Sequence, residues 1–173
     1  MAKKQSAGLL LYRQRDEELD VFIAHPGGPF FAKKDDGIWS IPKGLYDHDE
    51  DPFDAAKREF EEEIGWPAPG GKYINLGEIK RKDGKSIRAW AVEGDIDKAS
   101  VKSNNFEMEW PPKSGKVQEF PEIDRAEWFD LTTASQKLQL AQVEFLERLA
   151  RHLGVAFLLE PSPAPTPEQY KLL

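Results

Sequence analysis

The sequence predicts an α/β fold in a single domain. Short apolar or alternating segments suited to strands surround one strongly capped helical segment, and a second helical periodicity closes the chain. Turn signals rich in Gly, Pro and Asp separate these pieces. At 173 residues, 39% apolar and 11% aromatic, the chain can bury a sizeable core. Residues 1–154 read as the domain and residues 155–173 as a proline-rich tail, where Pro161, Pro163, Pro165 and Pro167 favour an extended, mobile chain.

Residues 6–12 form an apolar run, and residues 18–25 alternate enough to pair with it as a hairpin. Residues 25–37 hold too much Gly and Pro for a regular element and read as a long loop, a feature often functional in compact domains. Phe30, Phe31, Lys33 and Lys34 in this loop offer a base surface and phosphate charge, or equally hydrophobic anchors and solvated lysines. Residues 38–44 read as a short strand. Residues 52–64 then predict a helix: Asp51 is a good N-cap, Pro52 fits the first position, Asp54 suits the positive end, and Gly65 can close the C-terminus left-handed. Phe53, Ala56, Phe60 and Ile64 mark its core face.

Residues 72–80 and 86–92 predict a second hairpin around Asp83-Gly84. Residues 106–110 alternate apolar and acidic before Pro111 and Pro112, with Trp110 read as a core tryptophan in preference to a pocket-lining one. Residues 113–124 read as a loop and 126–130 as the last strand. From Thr132 onward, Leu138, Ala141, Phe145, Leu149 and Leu153 keep one helical spacing that Gly154 ends.

Charge is concentrated. Between Asp47 and Glu63 stand nine Asp or Glu against two Lys or Arg, a surplus of seven that equals the net charge of −7 for the whole chain. Acids this crowded repel one another, which is better explained if cations sit among them. Glu59, Glu62 and Glu63 fall at i, i+3 and i+4 on one helix face, a set of hard oxygen donors suited to Mg2+ or Mn2+ carried with phosphates. The acidic balance argues against nucleic-acid partners. Without cysteine there is no disulfide framework or thiol zinc site. With no apolar run of spanning length and no signal-peptide core, a soluble cytoplasmic protein without membrane partners is expected. The oligomeric state stays open.

Gly44, Glu50, Arg58, Glu59, Phe60, Glu62, Glu63, Gly65 and Trp66 together resemble the Nudix hydrolase signature, in which Gly and Glu precede Arg-Glu-U-x-Glu-Glu-x-Gly-U and U is bulky and apolar. The resemblance implies a Nudix-type α/β/α sandwich with a mixed sheet. It also implies hydrolysis of phosphoanhydrides by metal-activated water, with Mg2+ or Mn2+ as cofactor and a small nucleotide as partner. Glu62 and Glu63 would be metal ligands, Glu59 a third ligand or the group that orients water, Arg58 an orienting partner of the glutamates, and Glu50 a supporting carboxylate. Many relatives add a carboxylate before the last strand. Glu119 and Glu122 compete for that place here, with Glu122 favoured by its spacing to Trp128.

Trp39-Ser40-Ile41-Pro42-Lys43-Gly44 is similar to the Trp-x-x-Pro-Lys-Gly lead-in of the branch that includes dinucleoside tetraphosphate and diphosphoinositol polyphosphate hydrolases. That likeness implies a Lys43 side chain near the phosphates and a Lys43 carbonyl on the metal. Lys33, Lys34 and Lys43 form a row of cations along the sequence, and Phe30, Phe31 and Trp39 supply surface for a base to stack on. A nucleoside polyphosphate such as diadenosine tetraphosphate is the favoured substrate. Two other readings stay open: a house-cleaning hydrolase of oxidised nucleoside triphosphates, and a Nudix fold that binds nucleotides without catalysis.

Overall fold

The apolar run near the N-terminus is explained by burial on both faces. In the computed structural model, which describes residues 4–157, the strands are β1 (Gln5–Arg15), β2 (Glu18–Pro26), β3 (Lys43–Leu45), β4 (Tyr73–Lys80), β5 (Ser86–Glu93), β6 (Asn105–Glu109), β7 (Val117–Pro121) and β8 (Ile123–Asp130). The main sheet runs β4-β5-β1-β2-β8. β1 is parallel to β5 and antiparallel to β2 along Leu11–Arg15, while β3 pairs with Ser6–Gly8 at its start. β1 is therefore interior, and alternate side chains reach different cores. Leu10 packs with Val21, Ile23 and Leu146, whereas Leu9 and Leu11 pack with Phe22, Phe60 and Ile64. A strand covered on both sides has no need of polar alternation.

One layer is helix α1 (Pro52–Ile64), which begins and ends where its caps require. The Asp51 side chain accepts from the Asp54 N–H at 3.1 Å, and Gly65 adopts φ 80° with its N–H closing on the Glu61 carbonyl. Such an N-cap contributes about 1 kcal/mol. Ala55, Ala56, Phe60 and Ile64 are buried against the sheet. Phe53 is half-buried, with its ring edge-on to Tyr73 at 4.8 Å.

The opposite layer differs from the single long helix expected. It is α2 (Leu131–Lys137), a tight turn at Leu140–Gln142, and α3 (Val143–Leu153), which ends on left-handed Gly154. Leu138 is extended (ψ 149°) because it bridges to Trp39: the Trp39 N–H donates to Lys137 O at 3.0 Å, and the Gln139 N–H to Trp39 O at 2.9 Å. Buried Gln142 accepts from the Ile41 N–H at 2.9 Å and donates to Ser40 Oγ at 3.0 Å. Tertiary hydrogen bonds outcompete a helical periodicity that Leu138 and Ala141 otherwise satisfy. Residues 38–42 accordingly form isolated bridges at Trp39 and Ser40, and strand pairing begins only at Lys43.

Residues 113–124 are not simply a loop. β7 pairs antiparallel with β6 as a two-stranded ribbon separate from the main sheet. Of the tail expected over residues 155–173, residues 155–157 lie outside any helix or strand and the rest lies outside the described residues. No described helix is long and apolar enough to cross a membrane.

Candidate active site

With Phe60 and Ile64 committed to the core, the adjoining flank of α1 carries Glu59 and Glu63 against Lys43 and Gly44, beside the start of β1, with Glu62 further round. Arg58 ties two of them together. Its guanidinium donates to both Glu50 oxygens at 2.8 and 2.9 Å, to Glu59 at 2.8 Å and to Glu62 at 3.2 Å. The fork with Glu50 is the bidentate geometry that only arginine supplies. These bonds raise the Arg58 pKa further and hold Glu50 below its ordinary value. Glu59 stands above its ordinary value, through burial first and then Glu62 and Glu122, with Arg58 opposing. The Glu59 carboxylate lies where a Cβ on Gly44 would stand, so with Glu59 in this position only glycine fits there.

Glu63 is the most perturbed acid. Burial pushes it up to about 8, against the pull of Lys43, whose N–H donates to Glu63 Oε2 at 3.0 Å. Gly8 and Lys43 face each other beside the Leu9 N–H to Pro42 O bond of 3.1 Å, a non-hydrogen-bonded pair, so the Lys43 peptide groups point away from β1. Its carbonyl is turned to the same side as the N–H that meets Glu63. The Lys43 ammonium is pushed below its ordinary value by burial, with Arg81 and Lys85 adding to the shift and Glu63 opposing it.

Glu122 reaches this cluster through the backbone. The Asn104 N–H donates to Glu62 O at 3.1 Å, the Glu122 N–H to Asn104 O at 2.9 Å, and the Gly27 N–H to Glu122 O at 2.8 Å. One line of hydrogen bonds joins the glutamate helix, the foot of the ribbon and the 25–37 loop. Glu122 is raised by burial and by Glu62, and its charge acts in turn on Glu59 and Glu63. Glu119 sits elsewhere. It is exposed on β7, directly opposite Glu107.

The residues expected to face the substrate divide between core and surface. Trp39 is 1% exposed, donates its Nε1–H to Asp35 at 2.8 Å, and lies edge-on to His25 and Phe129, so no base can stack on it. Phe31 and Lys34 are on the loop surface, with the Lys34 ammonium 5.8 Å from the Phe31 ring centre. The loop is pinned from beneath: buried His25 places its ring nitrogens 2.7 Å from Asp124 Oδ1 and 2.7 Å from the Lys34 carbonyl. Trp110 is not a core residue but half-buried against Phe30. Arg81 and Lys85, on the β4–β5 turn, are further basic side chains whose charge bears on Lys43. The basic run Lys80-Arg81-Lys82-Asp83-Gly84-Lys85 carries that signal in the sequence.

Among the described residues, no three Asp, Glu or His side chains stand in ready metal-ligating geometry. Arg58 holds Glu59 and Glu62, and Glu63 is hooked to the Lys43 N–H. The donor chemistry nevertheless fits a hard divalent cation: Glu59, Glu62, Glu63 and Glu122 crowd together, and three of the four are raised by burial that a cation would offset. A cavity of about 540 Å³ bordered by Arg13, Arg15, Asp95 and Trp128 lies at the other end of β1 and contains none of these acids.

Residues 2–149 match the family model described as NUDIX domain. No protein of curated function matches the chain in sequence. Among solved structures, the NUDIX domain of Shewanella oneidensis NrtR complexed with ADP ribose is 15% identical, with a TM-score of 0.59 over 88% of this chain and 90% of that one. A C. elegans Ap4A hydrolase binary complex is 21% identical, with a TM-score of 0.57 over 87% and 98%. A mutT/nudix family protein from Listeria innocua is 15% identical, with a TM-score of 0.58 over 89% and 96%. At these identities the structures share the fold; the family match, spanning most of the chain and the whole glutamate helix, shows that this protein belongs to the Nudix hydrolases.

Proposed function

We propose that the protein is a cytoplasmic pyrophosphohydrolase of nucleoside polyphosphates, with a dinucleoside tetraphosphate-like substrate favoured. The observation that carries this is geometric: the Lys43 N–H meets Glu63 Oε2 at 3.0 Å beside the start of β1, and the β4–β5 turn with Arg81 and Lys85 leads into β5 at that same end, where Gln5 pairs with Ser86. A chain of several phosphates can meet the glutamates and these bases at once, and a short diphosphate makes less use of the bases. Glu59, Glu62, Glu63 and the Lys43 carbonyl would hold Mg2+ or Mn2+, which when bound would neutralise phosphate charge and ease the deprotonation of water. Glu122, held above its ordinary value, is the carboxylate suited to accept that proton, since a base closer to neutrality works best near pH 7. Arg58 keeps Glu59 and Glu62 aligned.

The test is a comparison of kcat/KM for diadenosine tetraphosphate, ADP-ribose and an oxidised deoxyguanosine triphosphate with magnesium or manganese. Diadenosine tetraphosphate should lead, and Arg81→Ala and Lys85→Ala should each reduce its use by roughly tenfold while changing ADP-ribose less. A clear preference for ADP-ribose, or variants unchanged on every substrate, overturns the substrate reading.

A further inference from the structure

We propose that Phe30 and Trp110 form the platform on which the substrate's nucleobase stacks, making the β6–β7 ribbon the element that selects for a base. This rests on the nucleoside polyphosphate reading. The ring centres are 5.3 Å apart at 78°, an edge-to-face pair joining the 25–37 loop to the end of the ribbon. Phe30 is nevertheless 58% exposed, so one side of the pair is open to a third ring. The register places Phe106, Met108 and Trp110 on one face of the ribbon with Phe120, while Glu107, Glu109 and Glu119 line the other. The aromatic face is the one against the loop, since the Phe106 ring lies where a Cβ on Gly28 would stand.

The platform is also within reach of the chemistry. Gly27 donates to the Glu122 carbonyl, and Phe30 follows three residues later, at most about 11 Å of chain away. The foot of the ribbon bonds to Glu62 through Asn104. Trp110 stands six residues along the strand from Asn104, about 20 Å, so a base on this pair is joined to the glutamates by a nucleoside and its phosphate chain together. Stacking accepts any base, so the platform should distinguish nucleotides from base-free phosphates rather than adenine from guanine.

The experiment measures binding without turnover, by calorimetry with magnesium, using the analogue of ATP in which methylene replaces both bridging anhydride oxygens and the same bis-methylene triphosphate on ribose without a base. The full chain should bind the base-bearing ligand roughly tenfold tighter. Phe30→Ala and Trp110→Ala should each bring that ratio to within about twofold while leaving the base-free affinity unchanged, and Trp110→Phe should keep most of the ratio. Phe30→Ala guards against a folding defect, because that side chain is mostly in solvent. Equal affinities in the parent, or a loss shared by both ligands in both alanine variants, would overturn the platform. A parent that binds with the expected ratio but releases no product from any nucleoside polyphosphate would overturn the hydrolase reading and leave the platform standing.

Discussion

The Glu59 carboxylate occupies the space beside Gly44 where a side chain would begin. Gly44→Ala tests what that proximity does. The colliding group is the far end of a flexible side chain, so the fold can absorb the methyl group by turning Glu59 aside. The variant should melt within a few degrees of the parent, yet lose on the order of 10²-fold in kcat, the usual cost of displacing a group in a working site by about 1 Å. Turnover and melting measured together decide it; a large loss of stability with normal activity per folded molecule would mean the glycine serves packing alone.

Arg58 makes a sharper test of geometry against charge. Arg58→Lys keeps the positive charge but cannot form the fork to Glu50 while also reaching Glu59 and Glu62. Activity should fall by about tenfold or more, with weaker Mg2+ affinity, because Glu59 and Glu62 lose their common anchor. Calorimetric Mg2+ titration of the two proteins gives the comparison, and equal affinities would show that charge alone suffices.

Local chemistry made part of this molecule legible in advance. Asp51, Pro52 and Gly65 bound α1 as their side chains and conformational preferences dictate, and the glutamate spacing follows from that helix. What stayed hidden depended on distant partners. The break at Leu138 is made by a bridge to Trp39, some hundred positions earlier in the sequence, and β7 exists because β6 pairs with it outside the main sheet. Trp39 illustrates the limit for site residues. Its place beside the Pro42-Lys43-Gly44 lead-in made it look like substrate surface, whereas the Asp35 carboxylate and the Phe129 ring draw it inside. Likewise, only the folded hairpin brings Arg81 and Lys85 to bear on Lys43.

Glu63 predicts an inverted pH dependence for the metal-free protein. Unfolded, it titrates near the ordinary value of 4.5; folded, burial raises it to about 8. Between these values the folded chain holds a proton that the unfolded chain has lost, so stability is greatest below the lower value and declines as pH rises through the window. In chelator, the melting temperature of the parent relative to Glu63→Gln should therefore fall from about pH 5 to about pH 8. Saturating Mg2+ should reverse this for the parent, since cation and proton compete for one carboxylate, and should do little for Glu63→Gln. Parallel profiles for the two proteins in chelator would remove Glu63 as the buried acid.

Spacing to Trp128 favours Glu122 over Glu119 only modestly, and the fold separates the two in a way that kinetics can read. Glu122 is bonded through its backbone to Asn104 and Gly27 and is coupled in charge to Glu62, whereas Glu119 faces Glu107 across the ribbon. If Glu122 accepts the proton of the attacking water, Glu122→Gln should lower kcat by about 10²–10⁴-fold and abolish the acidic limb of the pH–rate profile. In the parent that limb should lie above the ordinary glutamate value, since burial and Glu62 both raise Glu122. Glu119→Gln should leave kcat within about twofold and slightly stabilise the protein, because it relieves a like-charge pair directly across two strands, an effect of a few tenths of a kcal/mol. An acidic limb that survives in Glu122→Gln, at whatever overall rate, would assign the proton acceptor to another of the crowded carboxylates, with Glu59 next in line because it too is raised by burial, despite its bond to Arg58.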